Sequence, residues 1–128
     1  MQTSNPCVAI DGYDVVEYFK SNKAKRGSGL HVAEFNGQDY LFGSEENQKA
    51  FEKDPEKYLP QFNGWCSFGC SVGKKFHVNP ENFEIVDGKL HLFLDSDIQS
   101  KWDEDPKSAK QSANKNWADI KHKKPAEL

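Results

Sequence analysis

The sequence predicts an α+β fold in which two small antiparallel β-hairpins pack against several short helices, with a helical C-terminal extension. Two β-rich runs are each broken by a turn pair, Asn36-Gly37 and Asp87-Gly88, whose residues accept the positive φ that a tight hairpin demands. Polar capping residues stand at the head of amphipathic runs, and the last third of the chain spaces its apolar residues by three and four.

The first element is "GYDVVEYFK", where Tyr13, Val16 and Phe19 recur at helical spacing with Val15 and Tyr18 beside them, a short helix. The polar, glycine-containing "SNKAKRGSG" reads as a loop, and "HVAEFNGQDYLFG" as the first hairpin, with His31 at the start of its first strand. Ser44 is an N-cap for "SEENQKAFEKD", and Glu45 and Glu46 in its first turn complement the helix dipole. Asp54-Pro55 ends that helix or begins another short turn, "PEKYLP". In the second hairpin, "NFEIVDGKLHLFL", alternation sets Phe83 and Ile85 facing one way, Leu90, Leu92 and Leu94 another, and His91 in the outward register. Asp95 or Ser96 caps a helix carrying Ile98 and Trp102, and Asp105-Pro106 supplies a cap followed by proline at the first helical position. Ala109, Ala113, Trp117 and Ile120 then form one face of a last helix. No internal repeat and no low-complexity segment is legible.

At 128 residues the chain fits one domain, with a core over about 8–120 and loose ends at 1–7 and 121–128. Only 36% of residues are apolar and the mean hydropathy is -0.85, but nine Phe, four Tyr and three Trp separate the chain from disordered sequences, which are poor in rings. The charge is nearly balanced, 17 basic against 20 acidic residues, so the one-sided basic footprint of a nucleic-acid binder is missing. The basic "KHKKPAEL" reads as a solvated end. No apolar run approaches the ~18 residues of a membrane span, and "MQTSNPCVAI" lacks the apolar core of a secretion signal. The chain is therefore expected to be soluble as given, exported if a leader has been removed and cytoplasmic otherwise. Three cysteines are an odd count, which favours free thiols, a metal site, or one pair and a spare.

The strings "AIDGYDVVEYF", "AEFNGQDYLFGSEENQKAFEKDPEKYLPQFNGWCSFG", "VDGKLHLFL" and "NKNWADI" resemble, in order, the YHS domain-containing (seleno)protein family, over roughly residues 8–120. The resemblance implies a YHS-like fold and an association with metal handling, with zinc or copper held by cysteines. It also implies that Cys66 stands at the family's usual cysteine, whereas Cys70 has no usual sulfur counterpart. The chain departs from the metal-type pattern where it matters for that chemistry. Val15 follows the first Asp where a ligand is expected, and Gly43 and Asn47 stand at two further cysteine positions. Neither Val nor Gly has a side-chain ligand, so the usual YHS metal site is absent.

The stretch "GWCSFGCSVGKKFH", residues 64–77, is where sulfur chemistry remains. Cys66 and Cys70 lie four apart, which on a helix puts both on one face, and His77 follows the loop. Thiolates with an imidazole suit Cu(I) or Zn(II), so the candidate ligands are Cys66, Cys70 and His77, with Cys7 able to approach from the N-terminal segment. A redox thiol is the second reading, with Cys66 activated by Lys74, Lys75 or a helix N-terminus and Cys70 resolving. The third is a buried loop whose cysteines are small hydrophobes. A phosphate cradle is excluded, because Gly69-x3-Gly73-Lys74-Lys75 lacks the spacing and the hydroxyl of a P-loop. His31, His91 and His122 are scattered and read as surface or satisfied core residues rather than ligands; an approach of His91, beside Phe93, to the cysteine loop is open, since register alone does not show it. Asp11, Asp14 and Glu17 can set two carboxylates on one helix face, but helix-dipole compensation explains Asp11 and Asp14 more simply. Tyr13, Tyr18, Tyr40 and Tyr58 are expected in the core, with a ring-lined pocket for a small ligand as an open alternative. The sequence thus points to a non-catalytic binding module for a soft metal ion. A thiol-dependent redox protein and a metal-free interaction domain are the alternatives, and no protein partner is assigned.

Overall fold

The computed structural model describes residues 8–128. The fold is α+β, and the chain forms two compact units. One runs through Leu59 and takes in Asp87–Lys89; the other comprises Pro60–Val86 and Leu90–Leu128.

The first unit opens on a 3-10 turn, Ala9–Gly12, in which Ile10 (φ 51°, ψ 44°), Asp11 (φ 52°, ψ 28°) and Gly12 (φ 83°) are all left-handed. Glycine accepts this conformation freely and Asp tolerates it, but a β-branched isoleucine there is strained. Asp11 therefore lies ahead of the first helix rather than in its first turn. Asp14 is the N-cap of α1 (Val15–Lys20), and its side chain accepts from the backbone N–H groups of Val16 and Glu17. Strands β1 (Ser28–Phe35) and β2 (Gln38–Phe42) pair antiparallel, with Phe35 opposite Gln38 and Ala33 opposite Tyr40. Asn36 and Gly37, at φ 52° and 79°, close the turn as their residue types predict. Ser44 caps α2 (Glu45–Lys53) through Asn47 N–H, and Pro55 at the first helical position starts the single turn α3 (Pro55–Tyr58). The core of the unit gathers on Phe51, whose ring stacks on Tyr40 at 4.9 Å and meets Phe42 at 5.2 Å, with Val15, Val16 and Ala33 beside them. Burying a ring of that size stabilises the fold by roughly 1.5–3 kcal/mol.

The second unit repeats this order. A 3-10 turn, Gln61–Gly64, again carries three left-handed residues, Phe62 (φ 57°), Asn63 (φ 53°) and Gly64 (φ 87°). A buried N-cap, Cys66, leads into α4 (Ser67–Ser71), and β3 (Asn79–Val86) and β4 (Lys89–Phe93) match β1 and β2 residue for residue in length. Asp95 caps α5 (Ser96–Glu104), which like α2 has nine residues, and Asp105-Pro106 opens α6 (Pro106–Ile120) as Asp54-Pro55 opens α3. The units differ at their ends: α3 has four residues and α6 has fifteen. What recurs is turn and cap chemistry, while most aligned core residues differ, Phe51 against Trp102 and Tyr40 against His91, so the repetition is one of architecture.

Residues of β4 do not follow simple alternation. Leu90, His91, Leu92 and Phe93 are all at most 1% exposed, so His91 is a core residue and the outward register expected for it is corrected. Its ring lies 5.2 Å from Trp102 and 5.9 Å from Phe62. The 121–128 end is held in place. Lys75 Nζ donates to the carbonyls of Lys121 (3.0 Å) and Lys123 (2.6 Å), and Leu128 packs on the cluster of Phe62, Cys70, Ala113 and Ile120.

Gly64 isolates the cost of the left-handed turn, because a Cβ there would meet only Pro60 Cγ at 3.7 Å. Gly64→Ala is expected to lower stability by about 1–2 kcal/mol from backbone conformation alone, measured by urea unfolding.

Candidate functional site

Helix α4 is five residues long, too short to hold itself, and its ends are satisfied from outside. At its N-terminus the sulfur of Cys66 accepts from Gly69 N–H at 3.4 Å, while Cys66 N–H donates to Phe76 O at 3.0 Å. At its C-terminus Asn116 Nδ2 donates to the carbonyls of Cys70 (3.0 Å) and Ser71 (3.2 Å). Gly69 is required by close packing, since a Cβ would come within 2.9 Å of the Phe76 ring.

Both cysteines are free thiols and fully buried. They face different apolar clusters: Cys66 packs with Phe93 and Trp102, and Cys70 with Phe62, Ala113 and Ile120. Burial pushes the Cys66 thiol up, opposed by N–H groups of Gly69, Leu94 and Phe68. Cys70 is pushed up to about 12 by burial, with the neighbouring Cys66 adding to it and Lys75 acting weakly against it. Lys75 has other work, holding the end of α6 with its ammonium 5.7 Å from the Trp65 ring centre and 5.3 Å from that of Trp117. The electropositive surroundings that activate a thiol are outweighed, and both groups stay protonated.

His77 does not join the cysteines. It is exposed and stacks on Trp65, ring centres 5.0 Å apart. Cys7 lies outside the described residues. Among the described residues, no three His, Cys, Asp or Glu side chains come together in an arrangement that could hold a metal ion. His91 does approach the cysteine loop, but through Ser67: Ser67 Oγ and His91 Nδ1 share a 2.8 Å hydrogen bond with both residues buried. That pair ties β4 to the first residue of α4. Sequence reasoning singled out His91 but missed Ser67, whose only signal was its place beside Cys66. On β3, Glu84 is pushed up to about 7 by burial and by its hydrogen bond with Asp103, against the pull of Gln99.

The positions where the family resemblance loses its cysteines prove informative in the first unit. Gly43 N–H (2.9 Å) and Asn47 Nδ2 (2.8 Å) both donate to Asp14 Oδ2, whose other oxygen takes Val16 N–H at 2.9 Å and Glu17 N–H at 3.3 Å. Asp14 is fully buried and every donor around it is used. Asn47 Nδ2 also donates to Glu17 Oε1 at 3.1 Å, and its Oδ1 accepts from Lys20 Nζ at 3.3 Å. Asn47 is the first cause holding the Glu17 carboxyl below its ordinary 4.5. Glu17 is thus tied in place, and through Asn47 it forms one hydrogen-bonded knot with Asp14.

This knot lies under a groove of about 290 Å³ between α1, α2 and α3. Val16, Phe19, Ala50 and Tyr58 form its walls, Asn47 its floor, and Lys20, Glu46 and Lys57 its rim. Lys20 and Glu46 pair at 2.8 Å, and the Phe19 and Tyr58 rings meet edge-on at 5.4 Å. An adjoining lobe shares Ala50, Lys57 and Tyr58 and adds Lys53 and Asp54. Of the four tyrosines, Tyr13, Tyr18 and Tyr40 are buried, and Tyr58 is the one left half-open on this groove.

Cys66→Ser should keep the α4 cap, because serine is a stronger N-cap, whereas Cys66→Ala should cost about 1–2 kcal/mol in urea unfolding. Asn47→Ala should cost about 1–3 kcal/mol near neutral pH by leaving buried Asp14 short of a donor. A lowered Glu17 contributes stability above its ordinary 4.5 that is lost as pH falls through its folded value. The gap between wild type and Asn47→Ala should therefore narrow between neutral and strongly acidic pH, as read from paired unfolding curves.

No helix among the described residues is long and apolar enough to cross a membrane. No protein-family model, curated protein or solved structure matches the chain.

Proposed function

We propose that the chain is a non-catalytic binding module, YHS-like in the order of its elements, in which the Cys66–Cys70 helix is scaffold. The observation that carries this reading is the condition of the two thiols. Each is fully buried, Cys66 is committed as a helix cap, and burial keeps both protonated. Nucleophilic and redox chemistry need an accessible thiolate, and these surroundings work against one. Among its described residues the first unit has a recessed groove with a polar floor, between α1, α2 and α3.

Soft-metal binding, Cu(I) or Zn(II), is the second reading. It is favoured by the nearness of the two thiols, close enough for Cys66 to push the Cys70 thiol up. Cys66 and Cys70 supply two donors to such an ion, and a third would have to come from elsewhere.

Cysteine labelling of the native reduced protein, resolved by peptide mass spectrometry, separates the readings. Labelling of Cys66 and Cys70 should be slow and should track unfolding, and anaerobic titration with Cu(I) or Zn(II) should show no stoichiometric uptake that depends on them. Uptake lost in Cys66→Ser would establish the metal site. Rapid sulfenic acid formation at Cys66, or a Cys66–Cys70 bond formed in native protein, would establish the redox thiol.

A further inference from the structure

The architectural repeat provides an internal control for the groove of the first unit. Matching the N-caps Asp14 with Cys66, Ser44 with Asp95, and Asp54 with Asp105 places each groove residue against a counterpart in the second unit. Val16 corresponds to Phe68, Asn47 to Ile98 and Tyr58 to Ala109. In the second unit those three counterparts are partly buried hydrophobic side chains packed against Cys66, Phe93 and Trp102, so the equivalent positions are apolar. Below it, Cys66 and Gly69 stand where the first unit has Asp14 and Glu17. The fold does not oblige a groove here. The first unit keeps one open, with a polar floor locked in place by hydrogen bonds.

Its charge and walls select a ligand class. Lys20 is neutralised by Glu46 at 2.8 Å and tied to Asn47, so it has little charge to offer. Among the described residues Lys57 makes no ion pair; its ammonium lies 5.2 Å from the centre of the Tyr58 ring, and Lys53 stands in the adjoining lobe. A cation above an aromatic wall favours an anion carried on a flat apolar body. A volume of about 290 Å³ is at the small end for ligand sites and suits a single ring with a short side chain.

We propose that the groove between α1, α2 and α3 binds a small aromatic carboxylate, its ring against the Phe19–Tyr58 pair over Ala50 and its carboxylate at Lys57. This deepens the binding-module reading and rests on it for function. With so few ligand atoms and an open site, affinity falls in the high-micromolar to millimolar range.

The test is a titration of the full chain, labelled with nitrogen-15, with phenylacetate, and with phenylacetamide and phenethylammonium as neutral and cationic analogues. Saturable amide shifts are expected in α1, α2 and α3 with phenylacetate, and weaker ones with both analogues. Lys57→Gln, at an exposed position, should weaken phenylacetate about threefold and leave phenylacetamide unchanged. Ala50→Phe should block both ligands by filling the groove, with its fold checked by the dispersion of the same spectra. The proposal is overturned if the shifts do not saturate or fall outside these helices, if an analogue binds as tightly as phenylacetate, or if Lys57→Gln leaves phenylacetate binding unchanged. The thiol labelling reads Cys66 and Cys70 separately. A metal-binding result there leaves the groove titration intact, and an empty groove leaves the thiol result intact.

Discussion

Everything in this molecule hangs on a buried acceptor placed immediately after a left-handed turn. The turn forces two non-glycine residues into positive φ, at a cost of about 1–2 kcal/mol for each. It persists because it delivers Asp14 or Cys66 to the head of a helix that is too short to form unaided. The acceptor then collects N–H groups from its own helix and from the residue just beyond the hairpin. Asp14 takes Val16, Glu17 and Gly43, and Cys66 takes Phe68, Gly69 and Leu94. One side-chain atom group thereby fixes the helix, the exit of the hairpin and the start of the next helix. The aromatic core at Phe51 or Trp102 packs once these are set.

From that common frame the two units diverge by what they ask of the acceptor. The first surrounds the Asp14 carboxyl oxygens with donors and continues the polarity outward through Asn47, Glu17 and Lys20 to an open groove. The second uses a neutral thiol, has the apolar Phe68 and Ile98 at the equivalent positions, and lengthens its last helix so that Ala113 and Ile120 cover Cys70. Asn116 and Lys75 then close the ends of α4 and α6. Cys66, Cys70, Gly69 and Lys75, which crowd residues 64–77 in the sequence, all serve the fit of this one short helix and the end of α6.

Local chemistry was legible and long-range chemistry was not. Asn36-Gly37, Asp87-Gly88, Ser44, Asp95 and Asp105 act through contacts within a few residues, and each does in the structure what its residue type implies. His91 was misplaced because alternation assumes a strand with one solvated face, and β4 is buried throughout its last four residues. The cysteine spacing captured only part of the arrangement, for a related reason. The four-apart rule applies within a helix, but Cys66 is the cap before it, with extended-type φ and ψ, and the two thiols meet different clusters. Gly43 and Asn47 drew attention only through the resemblance and were invisible as donors, because only the fold brings them to Asp14. The repeat escaped notice because equivalent positions, Asp14 and Cys66 or Asn47 and Ile98, share a role and not a chemistry.

That exchange of Asp for Cys has a physical reason. A buried carboxylate is tolerable only when nearly all its lone pairs are met, and the first unit meets them with three backbone N–H groups and the Asn47 amide. In the second unit Ile98 stands in place of Asn47, and Phe93 and Trp102 crowd the site, so a carboxylate would keep the backbone donors and lose the fourth in an apolar setting. A thiol accepts weakly, carries no charge and packs as a hydrophobe, which makes it the acceptor suited to that half. Two sets of neighbours pull the Cys66 pKa in opposite directions: burial raises it, and the N–H groups it accepts from, those of Gly69, Leu94 and Phe68, lower it. Where one unit has given up polarity to seal its core, the other has retained it, in the hydrogen-bonded groove beside Asp14.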